Sequence, residues 1–219
     1  SEIDQTAAPD QASAGDPSKP IGGLVLVCAV GALTGLIFSA ATLFLPTYLM
    51  EMVEKTSFWG RAVFLGSLAT TMAYLMGVLG QYVGGNLAEK VRLDLLLMLG
   101  LLISIPLLVL TGLPHPLVLL PAAMAFAFFH FLLQPVTSSL VAEFTPVSWR
   151  GLAYGIFFFS AYGLGSFANS FAAYIAERYG LEAVFYALAA VSLIAAGLTP
   201  FLIRMYRPVA QARARTARS

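Results

Sequence analysis

An all-α membrane protein with six transmembrane helices is the fold class this sequence predicts, and three observations predict it. Of its 219 residues, 59% are hydrophobic and 11% charged, against about a quarter charged in water-soluble domains. The apolar residues fall into six runs long enough to cross the hydrocarbon core as helices, which takes about 20 residues each. The separators between the runs are short and hold nearly all the charge: MVEKTSFWGR, NLAEKVRLD, GLPHP, EFTPVSWRG and ERYGLE.

Residues 1–20 are rich in Asp, Gln, Ala, Pro, Ser and Gly and lack the charged-then-apolar shape of a signal peptide. They read as a flexible cytoplasmic linker. The transmembrane domain is expected over 21–207, with spans at about 21–48, 62–88, 93–112, 116–140, 152–176 and 183–205. Residues 208–219 read as a basic cytoplasmic tail. In the first span Gly31 and Gly35 stand four apart, as do Gly80 and Gly84 in the second and Gly151 and Gly155 at the start of the fifth. Such pairs let helices approach closely, as packing notches or as contacts that slide. The third span, LDLLLMLGLLISIPLLVLTG, is almost pure aliphatic, and the sixth is relieved mainly by Ser192 and Thr199. Both suit lipid over most of their circumference.

The second, fourth and fifth spans carry polar stripes: Ser67, Thr71, Tyr74 and Gln81; Phe126, His130, Gln134 and Ser138; Tyr162, Ser166, Asn169 and Ala173. Polar side chains at that depth are costly unless they pair, meet water or bind something. They serve as interhelical hydrogen-bonding glue or as the wall of a cavity. Pro121 and Pro135 interrupt the fourth span and free backbone carbonyls, which neighbours or cavity water must satisfy. No Asp, Glu, Lys or Arg occupies the middle of a span, so a buried proton-relaying carboxylate is absent from these residues. His130 is the group left to titrate near neutrality.

With residues 1–20 on the cytoplasmic side, that side holds Lys19, Lys90, Arg92, Arg150, Arg204, Arg207, Arg213, Arg215 and Arg218; the other holds Lys55, Arg61 and Arg178. Nine against three places both termini in the cytoplasm. Cys28 has no disulfide partner and reads as apolar packing; no metal site, cofactor or nucleic-acid binding is expected. The chain also matches itself. Gly77, Ala88, Glu89 and Lys90 recur 88 residues later as Gly165, Ala176, Glu177 and Arg178, ending the second and fifth spans on opposite sides. Three helices followed by three of opposite orientation form an inverted repeat, a building unit of secondary transporters.

The stretch GGNLAEKVRLD, residues 84–94, resembles the signature loop of the major facilitator superfamily (MFS). Gly85, Leu87, Ala88, Glu89 in the acidic slot and Lys90 in the basic slot carry the likeness. The stretch departs at Arg92, where the family has glycine, and at Leu93, where it has a basic residue. EFTPVSWRGLAYGIFFFSAYGLGSF is similar to the beginning of that family's eleventh helix. The resemblance implies the C-terminal six-helix half of a twelve-helix, alternating-access transporter in a bacterial inner (plasma) membrane. It also implies three partners: a small-molecule substrate, membrane lipid and the N-terminal half of the same polypeptide.

On that reading Gly85, Leu87, Glu89 and Lys90 form the gating motif, with Glu89 gripping the opposite half. The expected substrate-cavity lining is Phe38, Tyr74, Phe126, His130, Gln134, Tyr162, Ser166 and Asn169. Aromatic and uncharged, it suits a hydrophobic or amphipathic organic solute, with proton-coupled efflux the expected subclass. A non-transporting subunit or receptor on the same fold is one alternative. A six-span intramembrane enzyme is another, disfavoured because Gly163, Leu164, Gly165 and Ser166 set the glycine of a serine-nucleophile loop in the wrong place.

Overall fold

The computed structural model describes residues 21–56, 62–163 and 165–216. The expected linker 1–20, Arg61 and residues 217–219 lie outside them. Among the described residues every regular element is helical: α1 (Ile21–Thr56), α2 (Ala62–Lys90), α3 (Leu93–Thr111), α4 (Pro116–Phe144), α5 (Arg150–Phe158), α6 (Gly165–Tyr179) and α7 (Leu181–Thr216). A π-helical turn, Phe159–Gly163, follows α5, and these pieces make up the fifth span. Six stretches are long and apolar enough to cross a membrane. They start close to the positions expected from sequence. The first and fourth run several residues further than expected, to Lys55 and Phe144. The last helix continues to Thr216, so residues 208–216 of the expected tail are helical.

The helices pack in a pattern that repeats. α2 lies chiefly on α4, and the fifth span lies chiefly on α1; α3 packs on α4 and α7, and α7 on α1 and α3. Burial follows the same pairing. In the most apolar stretch of each span, 44% of residues are buried in both the first and fourth, 28% and 24% in the second and fifth, and 39% in both the third and sixth. A three-plus-three repeat gives this pairing, because equivalent helices then occupy equivalent layers.

The close approaches follow from small residues. The buried face of α2 consists of Gly66, Thr70, Ala73, Gly77, Gly80 and Gly84, three or four apart throughout. A Cβ on Gly80 or Gly84 would run into the backbone of Phe128 or Leu132 in α4. On the other flank, a Cβ on Gly35 would run into the carbonyl of Ala161 in the π turn, and one on Gly31 into the Phe157 ring. Gly151 and Gly155 differ from the sequence expectation. Nothing lies within 4 Å of a Cβ built on either, so this pair is not a helix contact within the bundle.

Pro121 and Pro135 lie inside α4 as the sequence analysis expects, and two further prolines leave a mark it did not name. A proline inside a helix deprives the carbonyl four residues earlier of its N–H donor. Pro46 does so to Thr42, whose carbonyl accepts instead from the Tyr74 hydroxyl at 3.0 Å. Pro200 does so to Ala196, whose carbonyl accepts from Thr199 Oγ1 at 2.7 Å. At the end of α3, Tyr48 and Tyr186 both donate to the Gly112 carbonyl, at 3.3 and 3.1 Å. Gly180, at φ 92°, makes the tight turn from α6 into α7.

Gly80→Val should therefore lower the thermal stability of the detergent-solubilised protein by about 1–3 kcal/mol or more through overpacking on α4. Gly155→Ala, in open space on a helix, should be neutral or stabilising by about 0.5–1 kcal/mol. Equal melting temperatures for the two variants would contradict this account of the helix contacts.

Candidate functional site

The polar stripes of α1, α2, α4 and the fifth span converge on one cavity of about 290 Å³. α1 contributes Gly31, Thr34, Gly35 and Phe38; α2 contributes Gln81; α4 contributes His130, Gln134, Thr137 and Ser138. Phe157, Phe158, Ala161 and Tyr162 close the remaining side, the last two from the π turn. No Asp, Glu, Lys or Arg lines it.

Helical spacing explains why α4 dominates this wall. Positions 130, 134 and 138 fall on one face of the helix. His130 is 5% exposed and stacks face to face on Phe38, with centroids 5.9 Å apart and planes 9° apart. Phe126 and Phe131 lie against the same imidazole. Phe158 stacks on Tyr162 at 6.0 Å, and Phe38 meets Tyr162 edge-on. Offset and edge-to-face contacts of this kind favour a rigid aromatic wall.

Of the residues expected to line a cavity, Phe38, His130, Gln134 and Tyr162 do so together. Tyr74 and Phe126 sit behind them, around a slit of about 10 Å³ that Phe38 and His130 separate from the main space. Ser166 and Asn169 do not line the cavity. Ser166 donates to the Gly163 carbonyl, and Asn169 Oδ1 accepts from Ser39 Oγ at 3.0 Å. A π turn, Phe159–Gly163, precedes both, and such a turn breaks the four-residue period that would set them on one face with Tyr162. A four-residue spacing read through position 162 therefore loses its face.

Gln81 and Ser138 line the cavity although the expectation omitted them, and both sit in the polar stripes of their helices, as Thr34 and Thr137 do not. Gln81 Nε2 donates to Gln134 Oε1 at 3.3 Å, joining α2 to α4. The hydroxyls of Thr34 and Thr137 turn back to carbonyls of their own helices. A second hollow of about 310 Å³, between α1, α6 and α7, has only apolar lining residues such as Leu36, Phe171 and Leu188, so it offers nothing to orient a polar solute.

At the end where α2 meets α3, Gly85 has open space around it, Leu87 packs against the core, and Glu89 and Lys90 are exposed. The ion pair there is instead Arg92 with Asp94. Two guanidinium nitrogens reach the carboxylate at 2.6 and 3.2 Å, and Asp94 is fully buried in the first turn of α3. The hydrogen bond to Asp94 raises the Arg92 pKa. The helix N-terminus favours the carboxylate too. The pair occupies the stretch in which the sequence departs from the family motif.

Six stretches able to cross a membrane, four of them lining one uncharged cavity, define a multi-pass integral membrane protein of the transporter class. The family model of the Major Facilitator Superfamily matches residues 27–218, and the chain belongs to that superfamily. This is a transporter family and not an enzyme family. No curated protein matches the chain.

Tyr74→Phe should destabilise the fold by about 1–2 kcal/mol by leaving the Thr42 carbonyl without a donor. In a Pro46→Ala background, where residue 46 supplies its own N–H, the same change should cost close to nothing. Thermal melts of the four proteins test the coupling; additive costs would contradict it.

Proposed function

We propose that the protein is a secondary active transporter that moves an uncharged hydrophobic or amphipathic organic solute by alternating access, in the direction of efflux. The observation that carries this reading is the cavity between α1, α2, α4 and the fifth span, aromatic on its walls, amide-bearing at one end and without a charged side chain. A charged solute would need a counter-charge to replace its hydration there. Phe38, His130, Gln134 and Tyr162 contact the solute; Tyr74 and Phe126 hold the aromatic wall in place.

In this reading the N-terminal six-helix half of the same polypeptide completes the cavity and covers the second and fifth spans, the two least buried in the bundle. The three-plus-three repeat lets the six helices rock as one body about the site. Both termini face the cytoplasm, so the α2–α3 connection lies on the cytoplasmic side. There Glu89, exposed and ahead of the Arg92–Asp94 pair, reaches the opposite half and holds the gate. Arg92 and Asp94 fix the connection that presents it.

The deciding experiment reconstitutes the full-length protein in liposomes and follows a panel of uncharged fluorescent amphiphiles. Gradient-driven, saturable movement is expected; inert vesicles with a co-purifying partner protein would favour the subunit reading. Glu89→Ala should shift the inward/outward balance, read by cysteine accessibility from each side, and cut transport about tenfold. Unchanged transport and balance would remove the latch. His130→Gln should weaken solute binding while the pH profile of transport keeps its shape. A flattened profile would instead make His130 the coupling group.

A further inference from the structure

The transporter reading leaves the solute's chemistry open beyond its lack of charge, and the polar end of the cavity narrows it. Gln81 and Gln134 share one hydrogen bond. A carboxamide has one carbonyl oxygen and two N–H groups, so this bond leaves the Gln81 oxygen and the Gln134 amino group with capacity to spare, on two side chains already in contact. Reversing both amide assignments leaves the same outcome, one acceptor beside one donor. Unmatched amides at membrane depth are costly unless a ligand or water meets them.

Of the four hydroxyls in the lining, those of Thr34 and Thr137 do not offer the same service, which leaves those of Ser138 and Tyr162. Thr34 and Thr137 already donate to carbonyls of their own helices. A polyol needs many free donors and acceptors, and these two threonines supply no free donor. Meanwhile the walls are flat rings: Phe38 parallel to His130, and Phe158 parallel to Tyr162. Flat walls suit a flat solute.

Resting on the transporter reading, we propose that the cavity binds an uncharged, planar heteroaromatic solute bearing an adjacent hydrogen-bond donor and acceptor, as in an imide or lactam edge. That edge meets the Gln81–Gln134 pair, and the ring lies against Phe38 and Tyr162. A volume of about 290 Å³ is at the lower end of small-molecule sites, about 300–1,000 Å³, and suits a mono- or bicyclic ring system. Donor and acceptor recognised together discriminate strongly, because an analogue lacking one leaves the site's own groups unpaired.

Theobromine and caffeine supply matched probes, both uncharged at neutral pH and differing by one imide N–H replaced by N–CH₃. Equilibrium binding to the full-length protein should favour theobromine by about ten- to hundredfold. Gln134→Leu and Gln81→Leu should each bring the ratio close to one by weakening theobromine far more than caffeine, and Gln134→Asn should retain part of it. Equal affinities in the unmutated protein, absence of saturable binding by either probe, or a ratio surviving Gln134→Leu would overturn the proposal. The probe comparison needs no mutation, so a variant that misfolds does not blunt it. Cysteine accessibility at Ser138→Cys from each side of the membrane reports alternation separately. Alternation without xanthine discrimination removes only the solute class, whereas absence of alternation removes the transporter reading beneath it.

Discussion

In hydrocarbon, each backbone N–H and C=O must find its partner within the protein, because no water is present to take its place. That constraint makes the chain helical from Ile21 to Thr216 apart from its connections, and it also governs the side chains. At three carbonyls that their helices leave unsatisfied, a hydroxyl has been placed to do so. Tyr74 serves Thr42 ahead of Pro46, Thr199 serves Ala196 ahead of Pro200, and Tyr48 with Tyr186 serves Gly112. Ser104, Thr70 and Thr111 donate to their own preceding turns. Most hydroxyls buried in this bundle are thus committed to backbone. The groups left over for a solute are few, and they gather in one place.

The same scarcity shapes the packing. Lipid tails are as apolar as leucine, so helices gain from close fit and not from escaping water. The small-residue face of α2 against α4, and the meeting of Gly31 and Gly35 with Phe157 and Ala161, are the points of closest fit. They lie on the two helix pairs that a three-plus-three repeat makes equivalent. They also border the cavity, since Gly31, Gly35 and Ala161 belong to its lining. A crossing of two backbones with no side chain between them leaves the neighbouring aromatic residues as the wall. The π turn sits at this crossing, where a carbonyl of the fifth span meets Gly35. One local irregularity therefore both fits the fifth span to α1 and aims Tyr162 at the cavity.

Charge is handled by exclusion. Asp94 is the fully buried carboxylate among the described residues, and it lies at the start of α3 beside Arg92, outside the cavity lining. Removing a carboxylate from water costs several kcal/mol unless a partner and further hydrogen bonds offset it; here the guanidinium and the first turn of α3 both do. The sequence keeps an acidic and a basic residue at Glu89 and Lys90, and its Arg92–Asp94 ion pair flanks Leu93. The glycine whose role the sequence left open is resolved by position: Gly84 meets Leu132, while Gly85 faces open space.

What the sequence determined alone was the class: six apolar runs of spanning length, the charged connectors between them, and the polar residues held inside. Those follow from composition and helical period, which are local. Its helical period also set His130 and Gln134 on one stripe, because α4 carries that period through both positions, while the family resemblance supplied Phe38 and Tyr162 as lining. Tertiary structure decided the rest. It selected which stripes share a hollow, paired Gln81 with Gln134, spent Tyr74 on a proline-freed carbonyl and turned Ser166 and Asn169 away from the wall. The last of these follows a π turn at Phe159–Gly163, a break in helical period that no pattern within residues 150–179 announces.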